Sequence, residues 1–394
     1  MRLLPMPRRP ARPLWLSGLL GLLSIQAASA QIPPTYNDVV FATVPRDAGG
    51  TINLLMDIYI PPGGGPGPKP LVLWIHGGGW EGGTQDGVPP GVLALRDYGF
   101  VVASTSYRLS GDAIFPAQIQ DVKGAIRYLR ANAATYNLNP TRFVSWGSSA
   151  GGHLSALLAT SAGVSSLEGS SGGNLGFSSA VQVCVDYFGP TDILDMNLDV
   201  TNPPGSTLDH DSPASPESHL VGWDAIGQGI GDIRANEGNP NPPYPALVDL
   251  CNQVNPITWL AAGDPPTFIA HGMIDTTVPM MQSTRLANAL AAAGITYEYH
   301  QIPGAGHGTN FPPEIDTAAQ SFILAQFGSP VMPADLNCDG QVNIADIPPF
   351  VQKLITPPAY TAQHPTCNPL NGDLNHDDRV DGQDIALFAD RLVP

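Results

Sequence analysis

Trp146-Gly147-Ser148-Ser149-Ala150-Gly151-Gly152 closes an apolar run and opens an Ala/Leu-rich one. Before it, Thr141-Arg142-Phe143-Val144-Ser145-Trp146 is short, β-branched and aromatic, as a buried strand should be. After it, His153-Leu154-Ser155-Ala156-Leu157-Leu158-Ala159 favours helix. A strand, a tight turn and a helix therefore meet at Ser149. Small residues on both sides let strand and helix approach closely and permit a strained backbone that turns the hydroxyl outward. This pattern reads as a nucleophile elbow. Taken alone, it could equally be a glycine-rich turn with an incidental serine.

Working outward, strands and helices alternate. Asp38 to Val44 and Ile52 to Ile60 suggest an opening antiparallel hairpin. Leu71-Val72-Leu73-Trp74-Ile75 is a continuous apolar run suited to a strand buried on both faces, and His76-Gly77-Gly78-Gly79-Trp80 ends it. A short helix over Gly91 to Tyr98, a strand over Phe100 to Tyr107 and a helix from Pro116 follow. Beyond the elbow come strands at Val181 to Phe188, Thr267 to Ala270 and Thr296 to Ile302, with helices near Gln282 to Ala293 and Ile315 to Phe327. That order predicts an α/β fold, a mostly parallel sheet with helices on both faces. The stretch 192–263 breaks the rhythm, being rich in Pro, Gly, Asn and Asp. Trp223, Trp259, Leu247, Val248 and Leu250 argue against disorder there, and we expect a lid insertion over the strand ends.

A serine hydroxyl needs an imidazole to take its proton and a carboxylate to orient the imidazole. The strand Thr267 to Ala270 runs into His271-Gly272-Met273-Ile274-Asp275, and the strand Thr296 to Ile302 runs into Gly304-Ala305-Gly306-His307-Gly308. Asp275 and His307 thus stand at matching strand ends and are the expected partners of Ser149. Asp264 precedes its strand and Asp192 follows an earlier one, so both are the weaker acids. His271 and His300 read as core or structural histidines, and His76 as a brace for the glycine loop. The N–H groups of Gly78, Gly79 and Ala150 are the expected oxyanion donors. No Lys-Ser/Thr follows the glycine loop, and no G-x-G-x-x-G opens a helix, so nucleotide binding is not indicated.

Arg2, Arg8, Arg9 and Arg12 precede the apolar run Leu14 to Ile25, and Ala28-Ser29-Ala30 supplies small residues for cleavage. Residues 1–30 read as a secretory signal peptide, and the protein is expected to be secreted or associated with the cell surface. No later stretch is apolar enough to span a membrane. Removing the four arginines takes the net charge from −17 to −21, which argues against a nucleic-acid partner. Cys184 and Cys251, and Cys338 and Cys367, permit two disulfides, although Cys184 reads as well as a plain buried thiol.

The tail repeats itself. Asp335, Asn337, Asp339, Val342, Asp346, Phe350 and Leu354 align one for one with Asp373, Asn375, Asp377, Val380, Asp384, Phe388 and Leu392. Each half reads D-x-N-x-D-x-x-V-x-x-x-D, the oxygen-ligand spacing of a calcium loop. Two Ca2+ sites are expected, one from Asp335, Asn337, Asp339, Gln341, Asn343 and Asp346, the other from Asp373, Asn375, Asp377, Arg379, Asp381 and Asp384. Gln341 and Arg379 contribute backbone carbonyls.

The glycine loop, the elbow, Asp186-Tyr187-Phe188-Gly189-Pro190-Thr191-Asp192 and the two strand-end loops together resemble the α/β-hydrolase esterases related to hormone-sensitive lipase. The stretch Pro213 to Ser218 and the stretch Pro279 to Ser283 are similar to the feruloyl and acetyl-xylan esterase branch, and the likeness covers about residues 36–328. It implies carboxylic-ester hydrolysis with Ser149, Asp275 and His307 as triad and no catalytic cofactor. Ser148 departs from the aspartate many relatives carry. The paired loops resemble a type I dockerin, which implies a small all-α domain over 335–394, after a linker at 329–334, and a cohesin-type partner. Departures there are Asp378 in place of the turn glycine found at Gly340, Pro348-Pro349, which shorten the expected helix, and Ile344-Ala345 and Gly382-Gln383 at the recognition positions. The expected function is a serine carboxylesterase acting on acetyl or feruloyl esters of plant cell-wall polysaccharide. The alternatives are a prolyl-oligopeptidase-type peptidase and a non-catalytic adhesion or scaffold protein.

Overall fold

The strand β3 (Lys69–Ile75) sits in the middle of the sheet, and its side chains show why. Leu71, Val72, Leu73 and Ile75 are each 0% exposed. Burial of such side chains contributes roughly 1.5–3 kcal/mol apiece before chain entropy is set against it. Leu71, Leu73 and Ile75 join the apolar cluster on one face of the sheet, while Val72 and Trp74 join the cluster on the other. A strand wetted on neither side must be covered by helices twice over.

The computed structural model describes residues 32–61, 67–200, 208–327, 333–339, 341–364, 367–368, 370–375 and 379–392. The expected signal peptide, much of the linker at 329–334, and Gly340, Asp377 and Asp378 lie outside the described residues. The remaining strands are β1 (Tyr36–Pro45), β2 (Thr51–Tyr59), β4 (Val101–Thr105), β5 (Leu138–Ser148), β6 (Val183–Tyr187), β7 (Thr267–Gly272) and β8 (Tyr297–Ile302). They form one sheet of order β1-β2-β4-β3-β5-β6-β7-β8. β1 pairs antiparallel with β2, and β2 antiparallel with β4, so the opening hairpin is present. Every other neighbouring pair is parallel.

The helices before the insertion are α1 (Pro90–Leu93), α2 (Ala117–Ala131), α3 (Ala150–Thr160) and α4 (Ser165–Glu168). Stretch 192–263 carries α5 (Met196–Asp199), α6 (Pro216–Val221), α7 (Ile230–Ala235), α8 (Tyr244–Val254) and α9 (Pro256–Trp259). After it come α10 (Met281–Ala293) and α11 (Pro313–Phe327). α2, α3 and α10 supply Ile119, Leu154 and Leu286 to one cluster, and α1 and α11 supply Val92 and Phe322 to the other. The insertion shares the first cluster through Ile193, Leu220, Ile233 and Val254, which is the apolar content that keeps it ordered.

The tail forms α12 (Ile347–Ile355), α13 (Pro357–Gln363) and α14 (Ile385–Leu392) around a separate cluster holding Leu336, Phe350, Tyr360, Leu374 and Phe388. The repeat-related rings of Phe350 and Phe388 stack at 4.0 Å. Pro348 and Pro349 do not cut a longer helix short. They stand in the first turn of α12, where a missing N–H leaves no intrahelical bond unmade. Cys338 and Cys367 form a disulfide, whereas Cys184 and Cys251 are separate buried thiols pushed by burial up to about 12. No helix among the described residues is long and apolar enough to cross a membrane.

Candidate active site

The turn from β5 into α3 brings Ser149 to the edge of the sheet with φ 56° and ψ −125°. A non-glycine residue held there costs about 1–3 kcal/mol, which the surrounding backbone must hold in place. Two contacts do so: the Ser149 N–H donates to the Tyr187 carbonyl at 2.9 Å, and the His153 N–H donates to the Ser149 carbonyl at 3.0 Å. The small residues are required by close approach. A Cβ on Gly147 would stand 2.1 Å from the Gly151 carbonyl oxygen, and one on Gly151 only 2.0 Å from that of Ile75.

His307, on the loop after β8, places Nε2 at 2.9 Å from Ser149 Oγ. Its Nδ1 lies 2.8 Å from Asp275 Oδ2, so the imidazole spans hydroxyl and carboxylate. The Phe188 ring stands edge-on at 4.7 Å and limits where the imidazole can turn. The Asp275 side chain is fully buried, and its Oδ1 accepts from the N–H groups of Thr277 at 2.8 Å and Val278 at 3.0 Å. Burial works to raise this carboxyl, but hydrogen bonds from His271 and His307 outweigh it and hold it below the usual carboxylate range. An ionised Asp275 favours the Nδ1–H tautomer, which leaves Nε2 as the acceptor facing Ser149.

The structure therefore brings Ser149, His307 and Asp275 together. It places the rivals elsewhere: Asp192 accepts from Asn255 at 3.1 Å, Asp264 from the Ala261 N–H, and His300 stacks on Phe268. His271 is more than core filler. Its Nε2 is 3.3 Å from Asp275 Oδ2, and its Nδ1 is 2.7 Å from Ser283 Oγ, so it helps fix the acid. The offset of four residues between His271 and Asp275 was the available signal.

Gly78 and Gly79, with φ 110° and 61°, share the cavity wall with Ala150 and Ser149. Among the described residues neither glycine N–H donates to another protein group, and Ala150 begins α3, whose amino end favours developing negative charge. His76 stacks on Tyr107 at 4.3 Å and its Nδ1 is 2.8 Å from the Gly77 carbonyl, consistent with a brace. A second clasp went unread in the sequence. Trp80 Nε1 donates to His153 Nδ1 at 3.2 Å, and His153 Nε2 donates to the Val254 carbonyl at 2.8 Å. Burial pushes the His153 imidazole down to about 4, so this neutral ring ties the glycine loop, α3 and α8 to one another.

The cavity measures about 480 Å³. The loop from Gly77 to Glu81, the turn from Ser148 to Ala150, Phe188, Thr277, Val278 and His307 line it, together with Leu208, His210, Pro216 and Glu217 of the insertion.

In the tail, the two halves repeat their hydrogen bonds as well as their sequence. Asp346 accepts from the N–H groups of Leu336, Asn337 and Asn343, and Asp384 from those of Leu374, Asn375 and Asp381. Asp346 and Asp384 are wholly buried and form no ion pair among the described residues. Oxygen donors of this kind suit calcium in type. Among the described residues, however, no group of three or more His, Cys, Asp or Glu side chains is gathered to hold a metal ion, and Asp377 lies outside them.

A mostly parallel sheet with a serine elbow, and with acid and histidine on loops after later strands, defines an α/β hydrolase. Residues 56–290 match the BD-FAE family. The chain belongs to that family, and with it to the carboxylic-ester hydrolases of this fold. It is 31% identical over 297 residues to esterase LipQ of Mycobacterium tuberculosis, a match covering 74% of this chain and 61% of that protein. Among solved structures it resembles a truncated carbohydrate esterase from gut microbiota, at 30% identity and TM-score 0.61, covering 74% of this chain and 95% of the other. It also resembles a bifunctional GH43-CE of Bacteroides eggerthii, at 33% identity and TM-score 0.60, covering 74% of this chain and 38% of the other.

Proposed function

We propose that the protein is a secreted serine carboxylesterase that removes acetyl or feruloyl groups from plant cell-wall polysaccharide through an acyl-enzyme on Ser149. The observation that carries this reading is the unbroken path from Ser149 Oγ through His307 to Asp275, at 2.9 and 2.8 Å. In the first half-reaction His307 Nε2 takes the hydroxyl proton as Oγ bonds to the ester carbonyl carbon. Asp275 stays ionised and stabilises the imidazolium. The negative charge on the former carbonyl oxygen falls to the N–H groups of Gly78, Gly79 and Ala150, which such a reaction needs held ready rather than reorganised. His307 then gives its proton to the leaving alkoxide, freeing the alcohol. Water repeats the sequence on the acyl-enzyme and releases the acid. The polysaccharide substrate is supported by the carbohydrate esterases that the chain resembles, and secretion by the amino-terminal sequence pattern.

The tail we assign to calcium binding and to attachment through a cohesin-type partner, on the support of its doubled loop pattern and the buried Asp346 and Asp384. In this reading Asp335, Asn337, Asp339 and Asp346, and their counterparts Asp373, Asn375, Asp377 and Asp384, would supply the oxygens that hold the ion.

The test is hydrolysis of acetylated xylan and of methyl ferulate by the chain from residue 31 onward. Release of acetate or ferulate is expected. Turnover of short peptide substrates with none of these esters would overturn the proposal.

A further inference from the structure

Two acidic side chains line the Ser149 cavity among the described residues, and they differ in kind. Glu81 is exposed, whereas Glu217, in the first turn of α6, is 2% exposed. Its Oε1 accepts from His210 Nδ1 at 3.1 Å, and His210 is itself 1% exposed and part of the same wall. Its Oε2 is buried and meets no hydrogen-bond partner among the described residues. A carboxylate oxygen withdrawn from water and left without a donor is a standing penalty, and an alkyl chain laid against it would leave that penalty in place. A ligand that brings its own O–H would remove it. The same position would reject plain hydrocarbon esters, because a site built to accept a hydrogen bond discriminates strongly against an analogue lacking the donor.

Resting on the esterase reading above, we propose that Glu217 is a substrate-binding residue whose Oε2 accepts a hydrogen bond from a hydroxyl carried by the ester, and that His210 positions it. The cavity then selects hydroxylated esters. The hydroxyl has two possible sources, a sugar on the alcohol side or a phenol on the acyl side, and the chemistry at Glu217 is the same for both.

The experiment compares the full chain with E217Q and E217L on two matched pairs of esters. One pair is a monoacetylated methyl xyloside and cyclohexyl acetate; the other is methyl 4-hydroxycinnamate and methyl cinnamate. The quantity read is the ratio of kcat/KM within each pair. E217L should lower that ratio by about tenfold to a hundredfold in one pair, mainly through KM, with E217Q lowering it less. The affected pair names the source. Should E217L fail to fold by circular dichroism, the isosteric E217Q decides the matter through the same ratio. Unchanged ratios in both pairs, or an equal loss on all four esters, would overturn the proposal. If the wild-type chain hydrolysed none of the four, the esterase reading itself would fall and this one with it.

Discussion

Replacing Gly151 with alanine is the sharpest test of how the elbow is built. In an ordinary helix interior the change favours folding, by about 0.5–1 kcal/mol. Here the added Cβ would stand 2.0 Å from the Ile75 carbonyl oxygen and 2.6 Å from that of His76. Ordinary contact begins at 3.4 Å, so α3 and the end of β3 must part by 1.4 Å. Both obstacles are backbone atoms, which cannot swing aside as a side-chain end can. Overpacking of this kind costs typically about 1–3 kcal/mol and exceeds the helix gain. A change of 1 kcal/mol moves Tm by about 2–4 °C in a domain of 150–250 residues, so a drop of several degrees is expected. The displacement also lies between Ala150 and the strand that leads to Gly78, so kcat/KM on a short-chain ester should fall by about a hundredfold. Calorimetry and steady-state kinetics on G151A read both effects. G111A is the control, since a Cβ there meets no atom within 4 Å. A G151A protein that melts at or above the wild-type temperature with unchanged kcat/KM would refute the packing argument.

Asp186 is wholly buried, and burial pushes its carboxyl up to about 7 despite the hydrogen bond from the Gly189 N–H. A carboxyl whose pKa is raised on folding stabilises the fold below its unfolded value of about 3.9 and loses that contribution as pH rises through about 7. The difference in Tm between wild type and D186N should therefore shift in favour of D186N from about pH 5 to about pH 8, and a constant difference would count against it. The calcium reading predicts that millimolar Ca2+ raises, and a chelator lowers, the melting temperature of the tail. Occupancy at about a hundred times Kd is worth about 2.7 kcal/mol. An identical melting curve in both conditions would exclude it.

Much of the sheet was legible because its signals are local. Leu71 to Ile75 is apolar throughout, and such a run has few homes other than a strand covered on both faces. Asp275 and His307 were legible through position, since residues just beyond parallel strands gather at one edge of the sheet. The insertion was not. Apart from the 11-residue α8, its helices run four to six residues, too short for helical periodicity to register against a Pro- and Gly-rich background. For the same reason Glu217 and His210 could not be placed on the cavity wall, because their meeting depends on how α6 docks. The partner of Cys338 is likewise a matter of tertiary distance, while the reach from His153 to Val254 joins residues 101 apart. Pro348 and Pro349 do not reveal their position from sequence, because the same residue type ends a helix from within and opens one from its first turn.

The central claim is that Ser149 carries the acyl group. Treating the full chain with a fluorophosphonate and mapping the adduct by mass spectrometry tests it directly. One adduct per chain is expected, on Ser149, with ester hydrolysis lost in step, and neither adduct nor hydrolysis in S149A. An adduct on another residue, or hydrolysis that persists in a folded S149A protein, would contradict it.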